Sequence, residues 1–378
     1  MALATAIIEG ESELEALRPE WDRLAVETSR PLCAPGWMLA WWRNACTEGA
    51  GLRVVAVREG DRLLAIAPFW AAKERAARSD YEALSARLAP PAGPLAAPGR
   101  EREVAEAAIE ALAGARPRPA AIRFWSREDD AAIGAHLAEA AAERRYWVHA
   151  RAPVPLPIVS LRGDDFDGWL ATRSSKFRQE SRRLRRRLDD TGARFERVGL
   201  GGVDRALRAF VELHGARWQG RGGSNALITG LREMLTEAAE ELLPGGRLRI
   251  FTIEAEGKPI AVNILVAAGV EVAGWNSGFD QGWHRYSPSM LLTQFAIADA
   301  IERGEARVCL GPGETDYKRR LADARQQITM TTLVPRDPAY PLTRLRLAPY
   351  QARTFFGARL SPQSKRRLRR LIPGSSGG

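Results

Sequence analysis

The 378-residue chain predicts a mixed α+β fold, built as two similar units in tandem, with helices alternating with paired strands. Three observations carry this reading. A hairpin-like segment occurs twice, LRVVAVREGDRLLAIAPF in the first half and LRIFTIEAEGKPIAVNIL in the second, each turning at a glycine between apolar-rich strands. The stretch Arg247–Gly311 reads strand, strand, strand, turn, capped helix, strand. The length leaves room for two domains of ordinary size.

The first half opens with a strand at Thr5–Ile8 and the helix ESELEALRPEWDRLAVE, whose Leu14, Leu17, Trp21 and Leu24 share one face. Pro31, Pro35 and Gly36 precede Trp37, Trp41 and Trp42, three tryptophans at helical spacing that suit either a core or a groove wall. The hairpin strands Leu52–Val57 and Leu63–Trp70 meet at Glu59-Gly60-Asp61. An irregular Pro/Gly/Ala-rich loop is expected over 88–100. A helix (99–114), a strand (Ala120–Trp125), an alanine-rich helix (Glu128–Arg145) and the strand YWVHA follow. RAPVPLPIV, with three prolines, marks the crossing between units.

The second half brings a turn and a long helix in DDFDGWLATRSSKFRQESRRLRRRLDDTG, with Phe177, Leu184 and Leu188 on its apolar side. The strand ARFERVG, a helix at Val203–Trp218, a glycine-rich break at Gly220–Gly223 and a helix at Leu231–Leu243 lead to Arg247. Ile260, Val262, Ile264 and Val266 alternate as a half-buried strand requires, and Glu271–Phe279 is a third strand closed by the turn Asp280–Gly282. Pro288 suits the first turn of a helix whose Met290, Leu291, Gln294, Ile297, Ala298 and Ile301 share a face, with Gly304 just past its end. Ala306–Gly311 is a short apolar strand, followed by a short helix at Asp316–Ala322 and the strand QITMTTLV. The expected units are therefore 1–152 and 153–335, with a basic tail over 336–378.

Composition narrows the classes. No run of 18 apolar residues exists, and MALATAIIEGESELEAL lacks a basic region followed by an apolar one, so neither a membrane span nor a secretory leader is expected. Cys33, Cys46 and Cys309 are odd in number and far apart, a spacing that suits neither a zinc site nor a disulfide framework; no metal is expected and the cytoplasm is the default compartment. The net charge of +10 is concentrated. Residues 173–187 hold eight basic side chains against Glu180 alone, and 343–378 hold nine with no acid, so the body of the chain is mildly acidic. The basic helix is open to three readings: a solvated face, a site for an anionic acceptor such as a polysaccharide or nucleotide-linked sugar, or an RNA contact. The tail reads either as a flexible solubilising end or as an amphipathic segment on an anionic membrane surface, which would make the protein peripheral at its inner face.

Two stretches could carry chemistry. The start Ser287-Pro288-Ser289 would leave the N–H groups of Ser289 to Leu291 without intrahelical partners at the positive end of a helix, a natural pyrophosphate site, although any ordinary capped helix starts the same way. The loop PGETDYKRR places Glu314, Asp316, Tyr317 and Lys318 within five residues just after the last strand of the Arg247–Gly311 stretch, where sites are often built; a solvated charged turn would look alike.

In order and spacing, SSKFRQESRRLRRRL, LHGARW, LRIFTIEAEGKPIAVNILV, WNSGFD and YSPSMLLTQFAIADAIERGEARVCLGPGETDYKRRL resemble the CelD/BcsL-type branch of the GNAT acetyltransferases and, more distantly, the FemAB/FemX peptidyltransferases. The resemblance covers about 155–335, and the first half looks like a degenerate copy. It implies tandem GNAT-like domains, each a mostly antiparallel sheet flanked by helices. Acetyl-CoA would be the acyl donor, lying between splayed central strands, its site formed by Tyr286, Ser287, Ser289, Met290 and Leu291, with Lys318 on a phosphate or carboxylate. Glu314 or Asp316 would be the base beside Tyr317, with His284 as another candidate. Arg217, Trp218, Asn276 and Lys176 would meet the acceptor, a small molecule or glycan. Each of these residues also has an ordinary structural use, Trp218 in helix packing, Asn276 at a strand end and His284 in an exposed loop. The glycine-rich phosphate loop usual in GNAT enzymes is replaced here by HRYSPSML, and Ser289 stands where relatives tend to have glycine. A Fem-like transfer from charged tRNA and a non-catalytic binding protein in polysaccharide assembly are the other readings left open.

Overall fold

The computed structural model describes residues 2–128, 131–219 and 223–359. The first unit runs β1 (Leu3–Ile8), α1 (Glu11–Glu27), α2 (Pro35–Ala45), β2 (Gly51–Glu59), β3 (Arg62–Ala71), β4 (Arg78–Ala83), β5 (Leu95–Ala96), α3 (Glu101–Gly114), β6 (Arg118–Arg127), α4 (Ala131–Glu143) and β7 (Tyr146–Ala150). A connecting segment follows: β8 (Val154–Ser160), α5 (Phe166–Ala171) and α6 (Ser175–Asp189). The second unit runs β9 (Arg194–Arg197), α7 (Val203–Trp218), α8 (Leu231–Leu242), β10 (Leu248–Ala255), β11 (Lys258–Ala268), β12 (Glu271–Phe279), α9 (Pro288–Glu302), β13 (Arg307–Cys309), α10 (Asp316–Leu321) and β14 (Ala324–Pro335). The helix α11 (Tyr340–Arg359) comes last.

The duplication expected from the repeated hairpin is present in the pairing itself. In both units the opening strand pairs antiparallel with the next one, β1 with β2 and β9 with β10. An antiparallel meander follows, β2-β3-β4 or β10-β11-β12. Each meander ends in a parallel pair across a helical crossover, β4 with β6 and β12 with β13. The β10–β11 turn at Glu256-Gly257 has positive φ at both residues, a conformation that glycine adopts without cost and that twists with the hairpin.

The closing strands cross between units. β7 and β8 act as one interrupted strand along β14, Tyr146 opposite Pro335 at one end and Ile158 opposite Ala324 at the other. β8 then pairs with β13 of the second unit, whereas β14 pairs with β6 of the first. The result is one mostly antiparallel sheet through both halves, in the order β1-β2-β3-β4-β6-β14-β8-β13-β12-β11-β10-β9. Exchange covers the strand edges that β6 and the short β13 would otherwise leave unpaired.

Helices flank the sheet on both faces, and the period-two pattern decides what each face holds. Ile264 and Val266 join the core under α7 and α8, with Phe210, Met234 and Leu235. Leu265 and Ala267 point the other way, into the core of α9, α5 and α6 with Trp169, Phe177, Leu184 and Ile297. Helix α9 is buried well beyond its expected face, Leu292 and Ala296 included, because α5 and α6 cover the side that would otherwise be solvated.

Two expectations need correction. The strand β4 lies in a stretch given no strand in the sequence, since Arg78–Ala83 alternates weakly and is stabilised by its neighbours β3 and β6. The tail is not a free end from 336 onward: α11 lies on the first unit, Leu347 packing with Ala121 and Val334 and the Arg344 guanidinium 3.6 Å above the Trp147 ring. The tail residues 360–378, and the Gly220–Gly222 part of the glycine-rich break, lie outside the described residues.

Candidate active site

β12 and β13 pair from Glu271 and Arg307 only as far as Ala273 and Cys309. Beyond that point they part, and a cavity of about 300 Å³ opens between Gly274–Ser277 and Leu310–Pro312. Thr293 of α9 lines it from one face of the sheet, and His214, Arg217 and Trp218 of α7 from the other. Gly311 sits at the fork with φ +76°, and a Cβ there would lie 2.9 Å from the Gly274 carbonyl oxygen. That close approach, and the positive φ, explain why the position is glycine.

The first unit supplies a wall. Leu32, Leu88, Ala89 and Pro90 line the same cavity. The loop bearing Leu88 is held by two indoles: Trp275 Nε1 donates to the Leu88 carbonyl at 3.1 Å and Trp125 Nε1 donates to the Ala86 carbonyl at 2.9 Å. Trp275 in turn packs on Trp37 at 5.4 Å and Phe210 at 5.5 Å between ring centres. Trp37 is therefore core and supports the site from behind. In the first unit the equivalent place beside β6 is taken by this same loop, since a Cβ on Gly93 would be 2.3 Å from the Trp125 carbonyl oxygen.

The cavity is cationic. Arg217 and Lys318 line it, and no aspartate or glutamate is among the described residues that do. Arg217 has no carboxylate partner among the described residues; its guanidinium lies 5.6 Å from the centre of the Phe279 ring. Lys318 Nζ donates to the carbonyls of Gly311 and Pro312, both at 3.1 Å, leaving one of the three ammonium donors for a bound molecule. Burial brings its pKa down to about 8, with Arg217 adding to the effect and Cys309 opposing it. Burial pushes the Tyr317 hydroxyl up, so it stays protonated and able to donate.

His214 is buried on the same wall, and burial lowers its pKa. Its Nδ1 lies 3.0 Å from the Ser277 carbonyl oxygen, which can only accept, so Nδ1 carries the proton. Nε2 therefore accepts the Ser224 hydroxyl, 2.7 Å away, in the neutral ring. Ser224 Oγ also accepts the Ala226 N–H at 3.2 Å.

Of the residues singled out in the sequence, the cavity brings together Arg217, Trp218, Asn276, Tyr317 and Lys318. Asn276 Oδ1 accepts the Ser277 N–H at 3.1 Å. Glu314 and Asp316 are exposed, paired with Arg325 and Arg319, and lie outside it. His284 is exposed beside the Gln281 carbonyl, and Lys176 is exposed on the first turn of α6.

The start of α9 departs from expectation. Ser287 is in the left-handed region, φ +52°, and its carbonyl accepts the N–H of Met290 at 3.0 Å and of Leu291 at 3.2 Å. Two of the three amides expected to be free are thus engaged. The side chains of Met290 and Leu291 are core, so only their backbone faces the helix end. What remains for an anion is the helix dipole, the Ser289 Oγ, buried without a hydrogen-bond partner, and two arginines around the Tyr286 ring, Arg285 at 4.8 Å and Arg187 at 5.6 Å.

The sequence places His214 with Arg217 and Trp218 at a helix end without giving it a role, and its partner Ser224 and the Leu88–Pro90 wall were missed. His214 was legible within LHGARW, three residues before Arg217 on the same helix face. The first-unit wall had no local signal, because it arises from packing between units.

Residues 175–319, from α6 into α10, match the family described as acetyltransferase (GNAT) domain; the match takes in the start of α9 and the β12–β13 fork. Among solved structures, FemX superposes with a TM-score of 0.63 at 11% identity over 90% of this chain and 99% of its own. The C-terminal domain (DUF2156) of a protein from Agrobacterium fabrum named as a lysylphosphatidylglycerol synthetase gives 0.55 at 13% identity, over 88% and 95%. A conserved protein of unknown function from Bacteroides thetaiotaomicron gives 0.53 at 12% identity, over 87% and 100%. At these identities the structural likeness is one of fold. No curated protein matches the sequence significantly. The chain has a mixed α+β fold, and its residues 175–319 are similar to the GNAT acetyltransferase domain. Among the described residues no helix is long and apolar enough to cross a membrane, and no group of three or more His, Cys, Asp or Glu could hold a metal ion.

Proposed function

We propose that the protein is an acyl-CoA-dependent N- or O-acyltransferase of the CelD/BcsL type, transferring acetyl to an amine or hydroxyl of a sugar, polysaccharide or cell-envelope precursor. The observation that carries this reading is the cationic, carboxylate-free cavity at the fork of β12 and β13 inside the GNAT-like segment. An acyl-CoA would supply an activated thioester carbonyl there. Ser289, Arg285 and Arg187 fit its pyrophosphate at the start of α9, and Gly274 and Gly311 leave room between the strands.

The chain's own residues then divide the work. The free Lys318 ammonium donor and Arg217 stabilise negative charge that develops on the carbonyl oxygen. Tyr317 adds a neutral donor. His214, neutral at pH 7, is the base: the acceptor's proton passes to Ser224 Oγ as the Ser224 proton passes to Nε2, while Nδ1–H stays on the Ser277 carbonyl. Trp218, 36% exposed at the mouth, offers a flat apolar face to a sugar-like acceptor. The cytoplasm, or its membrane face, is where such donors and precursors meet.

Titration calorimetry with acetyl-CoA, on the wild type and Gly311→Ala, tests the reading. Binding that the variant abolishes supports it. A fully folded wild type that takes up no acetyl-CoA overturns it. In that case binding of charged tRNA would favour the Fem-like reading, toward which the arginine-rich face of α6 points.

A further inference from the structure

A second cavity, also about 300 Å³, lies away from the fork, between α5, α6 and α9. Its walls are apolar: Phe166 and Leu170 of α5, Leu291, Phe295 and Ala298 of α9. At its floor two buried polar side chains meet, Gln294 Nε2 donating to Ser181 Oγ at 3.0 Å. Its rim carries Arg182, Arg185 and Arg186, with Asp167 as the one carboxylate.

The three arginines are not equally committed. Arg185 is held by Asp189 at 2.9 Å and lies 4.0 Å from the centre of the Phe195 ring. Arg182 is only loosely paired, 3.9 Å from Asp167, and Arg186 has no carboxylate partner among the described residues. An apolar slot beneath two available guanidinium groups is complementary to a molecule with a hydrocarbon chain and an anionic head. A free amphiphile would need one or two cations. Helix α6 continues the positive surface past the slot, through the exposed Lys176 and Arg183. That excess fits a charged plane better than a single small ligand.

We propose that this cleft takes one acyl chain of an anionic membrane phospholipid, its phosphate against Arg182 and Arg186, and so docks the protein on an anionic bilayer through α6. The site is separate from the fork cavity, and its use does not depend on which acyl group or acceptor the fork takes. Docking would place α5 and α6 toward the lipid. Association would weaken with salt but keep a chain-dependent part that salt does not screen.

The test uses the full chain with vesicles of phosphatidylcholine alone or mixed with phosphatidylglycerol, and with monomeric dodecyl phosphate against glycerol phosphate. The expected result is sedimentation with phosphatidylglycerol vesicles only, and binding of dodecyl phosphate but not of glycerol phosphate. Ala298→Phe, which fills the slot and leaves every charge of α6 in place, should weaken vesicle binding by about tenfold. Equal vesicle binding by folded Ala298→Phe and wild type would overturn the proposal in favour of surface charge alone. So would equal binding of the two phosphates, or no sedimentation with any vesicle. The comparison of the two phosphates on the wild type stands even if the variant fails to fold.

Discussion

Arg127 of β6 and Glu271 of β12 form a bidentate ion pair across the two units, at 2.6 and 2.9 Å, with both side chains almost fully buried. Arg307 closes on the same carboxylate at 2.6 Å. Removing Arg127 alone leaves a buried carboxylate with half its compensation, which costs about 3–5 kcal/mol in comparable sites. Arg127→Met should therefore lower the urea midpoint sharply. Arg127→Met combined with Glu271→Gln should recover part of the loss, because the buried charge is gone. Equal destabilisation by single and double variants would mean that packing, not charge, sets the cost.

Lys318 makes a pH-dependent prediction. As a cationic donor to the carbonyl oxygen it is competent while protonated, so kcat/KM should fall as pH rises past about 8. In Lys318→Arg the falling limb should move out of the accessible range, at reduced activity. Stability carries the opposite sign. The folded pKa, about 8, lies below the ordinary 10.5, so between these values the unfolded chain binds more protons and stability rises with pH. A falling limb unchanged in Lys318→Arg would remove this residue from the pH profile.

How much of this was readable beforehand depends on the range of the interaction that fixes it. The β10–β11 hairpin and α7 follow from alternation, a turn glycine and helical periodicity, all within a few residues, and their ranges were legible. Arg217, Trp218, Tyr317 and Lys318 were found because each stands beside a readable strand or helix end. Glu314 and Asp316 looked equivalent to Lys318 in the sequence. Asp316 falls outside the cavity because α10 is a single short helix and only part of its surface faces the fork, and Glu314, in the loop before that helix, is turned away to pair with Arg325. The exchange of β7–β8 and β14 left no local trace, since strands that pair across 166 to 189 residues carry the same alternation as strands that pair with a neighbour.

Gly311→Ala tests the fork itself. A methyl group would stand 2.9 Å from the Gly274 carbonyl oxygen on a backbone with φ +76°, so either β13 moves or the chain strains. The cavity narrows where the strands part, and acyl-donor affinity should fall by more than tenfold, read by calorimetry. Thermal unfolding should shift by only a few degrees, since the contact lies at the sheet's open end. Unchanged affinity in the folded variant would place the donor elsewhere.

His214 should set the acidic limb. Its buried ring has a pKa below the ordinary 6.5, so activity should rise only as pH passes through that lowered value and then hold until Lys318 titrates. His214→Asn keeps a side-chain donor toward the Ser277 carbonyl but has no ring nitrogen to take the Ser224 proton. It should fold, bind acetyl-CoA with little change, and lose turnover by about a hundredfold or more, as removal of a general base does. Ser224→Ala should lose less, because water could bridge the acceptor to Nε2. If His214→Asn turns over at the wild-type rate with an unchanged acidic limb, the proton leaves by another route, and Glu314→Gln and Asp316→Asn become the next pair to compare.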